Sequence, residues 1–423
     1  MRRFFVFLSL TLWSIASMAQ VSHITVMQYN LLQYGNYQGY SGCNETSNNT
    51  QVKDESIRLI MDYVKPDLFT VCEFGATQQL RDDFLRHNLN INGVNYWKSD
   101  NILNYANSNI INHIFYDSRK MELTKHMALR TNPRDSDVYE LYLKTSSLLA
   151  GDTIKLVCIV THPKAGSGQE NESRRYAAMQ TIMNYVSEHY ANENVLIMGD
   201  FNMYRASESG YQLLTKYYSN NEALFVDPLF DEGGVGAWNN NSYYARFHTQ
   251  STRYPNTDCF SSGGLDDRFD MILFSDEIAM CENKIQYIDQ SYFAVGNDGL
   301  HFNQSINQNG NSAVPADVAQ ALYDASDHLP VSLKLRVQGN VGVEENEMAW
   351  FNVYPNPTNG ILHVDLPSMT NRQEYRIVNM MGQTLRSGRL DGSGIDVSAL
   401  ADGLYFISVN GVTSKFIKST AVR

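Results

Sequence analysis

Apolar and polar positions along this chain repeat with two spacings, two and 3.6 residues, and the switches between them outline its elements. From Val21, Ile24, Val26 and Gln28 fall on one face and Thr25, Met27 and Tyr29 on the other, which predicts a strand ending at Asn30. A polar stretch rich in Gly, Asn and Ser runs on to Thr50. Ile57, Ile60, Met61 and Val64 then recur at helical spacing, and Pro66 closes that helix. Asp67 to Phe74 reads as the next strand, with Glu73 near its end, and Thr77 to Asn88 as a helix with Thr77 at its N-cap. Shorter strands are predicted over Ile110 to Tyr116 and Val138 to Lys144, and a longer one over Ile154 to His162. Tyr176, Met179, Ile182, Met183 and Val186 share one face of a helix from Asn171 to His189. That helix leads into Val195 to Met198, an apolar run stopped by Gly199 and followed by Asp200 and Asn202. Arg268 to Phe274 is a further strand carrying Asp270, and Asp327 and His328 occupy the turn before the last strand of this region. Strand, helix and strand in this alternation predict a layered α/β core.

The pattern changes beyond Met348, to short strands separated by turn signals such as Pro355-Asn-Pro-Thr-Asn-Gly360 and Ala401-Asp-Gly403. That predicts a small all-β sandwich over 351–423, joined through a linker over 338–350 to a large domain over 20–337. Residues 1–19 have the layout of a secretory signal: Arg2 and Arg3, an apolar run, then the small residues Ser17 and Ala19. No later run is apolar for long enough to span a bilayer, so an exported chain without stable membrane insertion is expected. An uncleaved anchor is the other reading of the leader.

The net charge of −12 argues against a nucleic-acid binder that works through a large basic face. It leaves room for an enzyme that recruits a divalent cation to meet a phosphate. Of five cysteines, Cys72 and Cys158 lie inside apolar runs and read as core. Cys43 and Cys259 are loop residues open to pairing, and without a CxxC pair a thiolate zinc site is not expected.

Asp200 and Asn202, two apart on extended chain, point the same way and offer an acid and an amide to one spot. Read alone, the pair is better explained as an Asx-turn. The same layout recurs, however, at Asn30, Glu73, His162, Asp270, and Asp327 with His328, each at the edge of an apolar run. Taken together, Gln28-Tyr-Asn30, Pro66-Asp67 with Val71-Cys-Glu73, Thr161-His162, Gly199-Asp-Phe-Asn202, Arg268-Phe-Asp270 and Ser326-Asp-His328 resemble the motifs of the endonuclease/exonuclease/phosphatase superfamily, in its order. The resemblance covers residues 21–336 and implies the deoxyribonuclease I-like fold, a four-layer α/β sandwich, and phosphoester hydrolysis dependent on Mg²⁺ or Mn²⁺. It assigns Asn30, Glu73 and Asp327 to the metal, Asp200 to orienting or deprotonating the attacking water, and Asn202 to the phosphoryl oxygens. Asp270 would fix the tautomer of His328, an acid–base group or phosphate clamp, and His162 would contact the phosphate or protonate the leaving oxygen. One departure is Leu32, where many repair-type members carry an acid; this speaks against a base-excision role.

Arg174 and Arg175 open the long helix, where basic residues oppose the helix dipole, so Arg174 is a candidate for substrate contact and a solvated face is its bland alternative. The polar insertion from Asp231 to Asp267 offers Trp238, Tyr243, Tyr244, Phe247, His248 and Arg253 either as a stacking and phosphate-binding rim or as loop packing. The C-terminal domain resembles the sorting domain of the type IX secretion system, on Val353-Tyr-Pro-Asn-Pro-Thr-Asn-Gly360, Val378-Asn-Met-Met-Gly-Gln383, Leu400 to Val409 and Lys415-Phe-Ile-Lys418. That implies secretion or surface display through the type IX machinery, with an adhesive sandwich as the alternative. A secreted, monomeric phosphodiesterase acting on extracellular DNA or RNA is the leading expectation. A phosphatase or phosphodiesterase for lipid or sugar phosphates, or a surface-displayed binding protein without catalysis, are the others.

Overall fold

The computed structural model describes residues 21–37, 43–145, 153–215, 225–256, 259–338, 352–365, 374–379, 383–390, 394–409 and 412–420; the expected leader and most of the expected linker lie outside them. The chain divides into two compact units, Met1–Val343 and Glu344–Arg423.

In the large unit the first strands are β1 (Val21–Tyr34), β2 (Leu68–Gly75), β3 (Trp97–Ser99) and β4 (Ile110–Asp117). They are followed by β5 (Met121–Leu129), β6 (Ser136–Leu143), β7 (Ile154–Thr161), β8 (Val195–Asp200) and β9 (Phe225–Val226). The last are β10 (Asp270–Ser275), β11 (Ile285–Tyr287), β12 (Phe293–Ala294) and β13 (Val331–Gln338). The helices are α1 (Thr50–Val64), α2 (Gln78–Phe84), α3 (Gln169–His189), α4 (Ser209–Leu214), α5 (Asp276–Met280) and α6 (Ala316–Ala325).

Two sheets result. One runs β11-β13-β1-β2-β4-β3 with β12 also on β13, the other β5-β6-β7-β8-β10-β9. Their facing sides, including Ile24 and Val26 from one and Leu156, Leu196 and Ile272 from the other, form a single apolar layer. The outer side of the first sheet packs Met27 and Tyr29 against Ile57 and Ile60 of α1 and Leu322 of α6. The outer side of the second packs Ile159 and Ile197 against Met179, Ile182 and Val186 of α3. The order is therefore helix, sheet, sheet, helix: the expected four-layer sandwich. Fully burying side chains of this size contributes roughly 1.5–3 kcal/mol each, which is why strands apolar on both faces sit at the centre.

Among the described strands, two neighbouring pairs are parallel, β1 with β2 and β7 with β8. Each is joined by a crossover helix, α1 or α3, because parallel strands cannot be closed by a hairpin. Asn49 caps α1 by accepting from the N–H groups of Gln51 and Val52, and Thr77 caps α2 as expected. The predicted strands and helices fall within a few residues of their places. β5, however, was not anticipated: most of it is half-buried or exposed, and its register slips between Leu123 and Lys125, so no alternation marks it.

The small unit has a three-stranded sheet, β14 (Asn352–Tyr354), β15 (Ile361–Asp365) and β18 (Ile395–Asp396), and a four-stranded one. The latter runs in the order β17 (Thr384–Arg389), β16 (Glu374–Val378), β19 (Gly403–Val409) and β20 (Val412–Lys418). Leu362, Ile377, Val397, Ile407 and Phe416 form its core, as an all-β reading requires.

Candidate active site

The C-terminal ends of the two parallel pairs converge on one buried spot. Thr161 is in register with Gly199, so His162 and Asp200 leave adjacent strands side by side. A Cβ on Gly199 would stand 1.8 Å from the Thr161 carbonyl oxygen, so no side chain fits between the strands there. Asp270 lies directly opposite Asp200 in the antiparallel pair β8–β10. On the other sheet, the pairings of β1 with β2 and of β2 with β4 both slip, beside Asn30 and around Glu73. Glu73 has φ 55°, a left-handed conformation uncommon for a non-glycine residue. The bulge swings its carboxylate towards Asn30 rather than leaving it at a strand end, a correction to the simple alternation. Ser326 donates from Oγ to the Asn30 carbonyl (2.6 Å) and accepts from the His328 N–H (3.2 Å), tying the approach to β13 onto β1.

Asp200 Oδ2 is the hub. Asn30 donates to it from Nδ2 (3.0 Å) and to Glu73 Oε1 (3.2 Å). His162 Nε2 lies 3.4 Å and His328 Nε2 3.7 Å from the same Asp200 oxygen. The other oxygen, Oδ1, accepts from the Asn202 N–H (3.0 Å), so the Asx-turn forms and serves the site at once. The Nδ2 group of Asn202 is buried without a hydrogen-bond partner among the described residues, as are His162 Nδ1 and Asp327 Oδ1. Buried polar groups rarely go unmatched, and each such group asks for a ligand. His328 holds Asp270 Oδ2 through Nδ1 (2.7 Å), and Thr249 Oγ1 donates to that same oxygen (2.7 Å).

Electrostatics follow from this packing. Burial pushes the Asp200 carboxyl up to about 7, with Asp270 and Glu73 adding to the rise against His328 and the Asn30 amide. Burial alone would lower His328, but the Asp270 and Asp200 carboxylates hold it well above the ordinary histidine range. His162 goes the other way: burial, with Arg134 and His328 nearby, keeps it well below that range, hence neutral. Glu73, His162 and Asp200 each present a ligand atom, all within 4.8 Å of one another. Clustered carboxylates, Asp200 buried and Glu73 half-buried, with a neutral imidazole beside them suit a hard divalent cation.

Asn30, Glu73, His162, Asp200, Asn202, Asp270 and His328 are thus brought together. Asp327 is adjacent but faces the insertion, accepting at Oδ2 from the Ser261 N–H (3.0 Å). Arg174 is not brought there. It is ion-paired with Glu170 one turn earlier (2.6 Å) on an exposed stretch of α3, whose acidic first turn, Glu170 and Glu172, offsets the basic residues. Arg175 is buried against Glu208 (2.9 Å). The arginine at the cluster is Arg134, which donates from Nε to the His162 carbonyl and from Nη2 to the Pro163 carbonyl (2.9 Å each). Its Nη1 makes no hydrogen bond among the described residues. Nothing in its surroundings, Thr131-Asn-Pro-Arg134, signals this from sequence.

The insertion packs rather than forming an aromatic rim. Trp238 is fully buried and donates to the Met203 carbonyl (2.7 Å), His248 contacts the Trp238 carbonyl (2.8 Å), and Arg253 lies over Phe260 and Tyr323. Only Tyr243 of the six is largely exposed, at 74 %. What the insertion does bring to the site are Thr249 and Gln250, whose Nε2 lies 2.6 Å from His328 Nε2. Cys43 and Cys259 form a disulfide beside Leu32 and Phe260. Beneath them Lys53 donates from Nζ to the Leu31 and Leu32 carbonyls (2.7 Å each).

Residues 352–423 match a family model described as a secretion system C-terminal sorting domain. No curated protein sequence matches the chain. Among solved structures, a D. rerio TDP2 humanized by 14 mutations is similar at 11 % identity and a TM-score of 0.45, over 74 % of this chain and 98 % of that one. An endonuclease/exonuclease/phosphatase family protein from Bacteroides thetaiotaomicron is similar at 13 % identity and 0.44, over 75 % and 99 %. A mannosyl-6-phosphatase from the same organism is similar at 13 % identity and 0.42, over 74 % and 99 %. No helix of the described residues is long and apolar enough to cross a membrane.

Proposed function

We propose that the large unit is an exported, divalent-metal-dependent phosphoester hydrolase, specifically a phosphodiesterase of nucleic acid, and that the C-terminal unit directs its export through the type IX machinery. The observation that carries the reading is the convergence of Asn30, His162 and His328 on the buried Asp200 Oδ2, with Asn202 on its other oxygen, Glu73 on Asn30 and Asp270 on His328. A structural ion-pair network does not need an amide donor, two imidazoles of opposite tendency and unmatched buried polar groups at one point.

Glu73 would hold the cation in this reading, with His162 or Asp200 within reach of it; Asn30 presents Nδ2 to the carboxylates and Oδ1 to the Leu32 N–H (2.9 Å), so it would ligate only with its amide turned over. Mg²⁺ or Mn²⁺ bound there would offset charge on the phosphoryl oxygens. Asp200 accepts the proton of the attacking water or orients it. Asn202 offers its unengaged Nδ2 to a phosphoryl oxygen, a donor fixed in place before the charge develops. Asp270 and Thr249 hold His328 in one orientation, so its Nε2 faces the phosphate as a donor. Arg134, anchored on the His162 and Pro163 carbonyls, keeps Nη1 for the same anion in this reading.

The test is hydrolysis by the purified protein of single-stranded DNA, plasmid, RNA, sphingomyelin and inositol phosphates, with Mn²⁺ or Mg²⁺ and with EDTA. Metal-dependent cleavage of a nucleic acid that disappears in Asp200→Asn supports the reading. Cleavage of the lipid or sugar substrates alone would move it to the other phosphoesters, and no cleavage of any would leave a binding protein.

A further inference from the structure

The site has an outer neighbour that the reaction chemistry leaves unused. In the second sheet, β6 lies beside β7 and β5 beyond it. Asp137 pairs with Val160 and Leu129 with Ser136, so the β5–β6 turn, 130–135, projects from the same edge that carries His162. Strands are spaced at about 5 Å, which puts Arg134 one strand and Arg130 two strands outward from His162, roughly 5 and 10 Å.

Tyr105 meets this turn. Its ring is 55 % exposed and lies 5.3 Å from the Arg130 guanidinium. Loops holding an exposed tyrosine are often loose, but this one is braced at three points. Asn104 donates from Nδ2 to the Ser108 carbonyl (2.8 Å) and accepts at Oδ1 from the Ser108 N–H (2.9 Å). The Ala106 N–H donates to Asp135 Oδ2 (2.8 Å), fixing the loop to the residue beside Arg134. Arg130 makes no hydrogen bond or ion pair among the described residues, so its fork is open. The neighbours Asn107, Thr131 and Asn132 are polar and give no surface for an acyl chain.

We propose that Tyr105 and Arg130 form a base-stacking subsite for a single-stranded nucleic acid, aligned with the cleavage centre through Arg134. The Arg130 guanidinium covers one face of the preordered Tyr105 ring at 5.3 Å, too close for a base to enter between them, so the ring offers its other face to an unpaired base, and stacking of this kind tolerates any base. The two guanidiniums meet the phosphates on either side of that base, which supplies the local positive charge that the net −12 of the chain does not. This rests on the hydrolase reading for its substrate, but its test does not require turnover.

Binding is measured by fluorescence anisotropy of a labelled oligothymidylate eight residues long, and of an abasic chain with the same phosphates, to the full chain carrying Asp200→Asn with Mn²⁺ at low salt. The oligothymidylate should bind at least about tenfold tighter than the abasic chain. Tyr105→Ala should abolish that difference while leaving abasic binding within twofold, Arg130→Ala should weaken both, and Tyr105→Phe should retain the difference. Equal binding of the two chains, no binding of either, or an unchanged difference in Tyr105→Ala would overturn the subsite. In a background with Asp200 intact, hydrolysis of methyl p-nitrophenyl phosphate reports separately on the hydrolase reading, and Tyr105→Ala should change it by less than twofold.

Discussion

The centre of the large unit and its β5–β6 edge are built on the same sheet, yet they treat polar groups in opposite ways. At the centre Asp200 and Asp270 are buried and shared: Asp200 with Asn30 and two imidazoles, Asp270 with His328 and Thr249. At the edge, Arg130 and Tyr105 face solvent, the guanidinium lying over the ring. The centre is where desolvation shifts ionisation, pushing Asp200 up to about 7; the edge is where the Arg130 charge stays exposed to water. Burial is thus reserved for the groups that must change protonation, and exposure for those that only have to recognise.

The largest expected effect lies at the centre. Asp200→Asn keeps the shape and removes the base, and kcat should fall by about 10²–10⁴-fold with an unchanged near-ultraviolet circular dichroism spectrum. A loss below tenfold would take Asp200 out of the chemistry. Next is the staple between the centre and the insertion. Replacing Cys43 and Cys259 by Ser should lower stability by about 2–5 kcal/mol, read from the denaturant midpoint at constant slope. An unmoved midpoint would mean that the packing of Leu32 and Phe260 holds the two loops without it.

The two arginines then separate centre from surface. Arg134→Ala should raise KM by roughly 10–100-fold, the loss of a hydrogen bond to a charged group, whereas Arg174→Ala should change it by less than twofold. The reverse ranking would restore the helix arginine as the substrate contact. The last effect is read against pH. Burial lowers Lys53 from 10.5 to about 7, against the pull of Asp327 and Glu73. The unfolded chain therefore binds more protons than the native one between those values, and stability gains with rising pH. Relative to Lys53→Met, the wild type should gain up to about 1.4 kcal/mol per pH unit across that window and nothing below it. Denaturant unfolding at three pH values checks this, and parallel curves for the two proteins would show that Lys53 keeps its charge when buried.

Residues at the ends of regular strands were legible because periodicity marks both the strand and its last side chain; His162, Asp200 and Asp270 are of this kind. Glu73 was visible as a residue but not in its geometry, since a bulge leaves no trace in an apolar run. Thr249 and Gln250 were hidden in a polar insertion, where nothing separates a side chain bound to Asp270 from one facing water. Arg134 was missed because it reaches the site through main-chain carbonyls of another strand, a contact set by sheet order rather than by spacing along the chain. Arg174 misled for the converse reason: its helix position oppose the dipole only until Glu170 and Glu172 are counted.

Gly199 works as a ruler with no marks on it. Because its missing methyl is what lets the Thr161 carbonyl come so near, the gap between imidazole and carboxylate is set by an absent atom. Alanine there would wedge the two strands apart and spoil the chemistry while leaving every reactive group in the sequence, a lesion that an inventory of catalytic residues would never reveal.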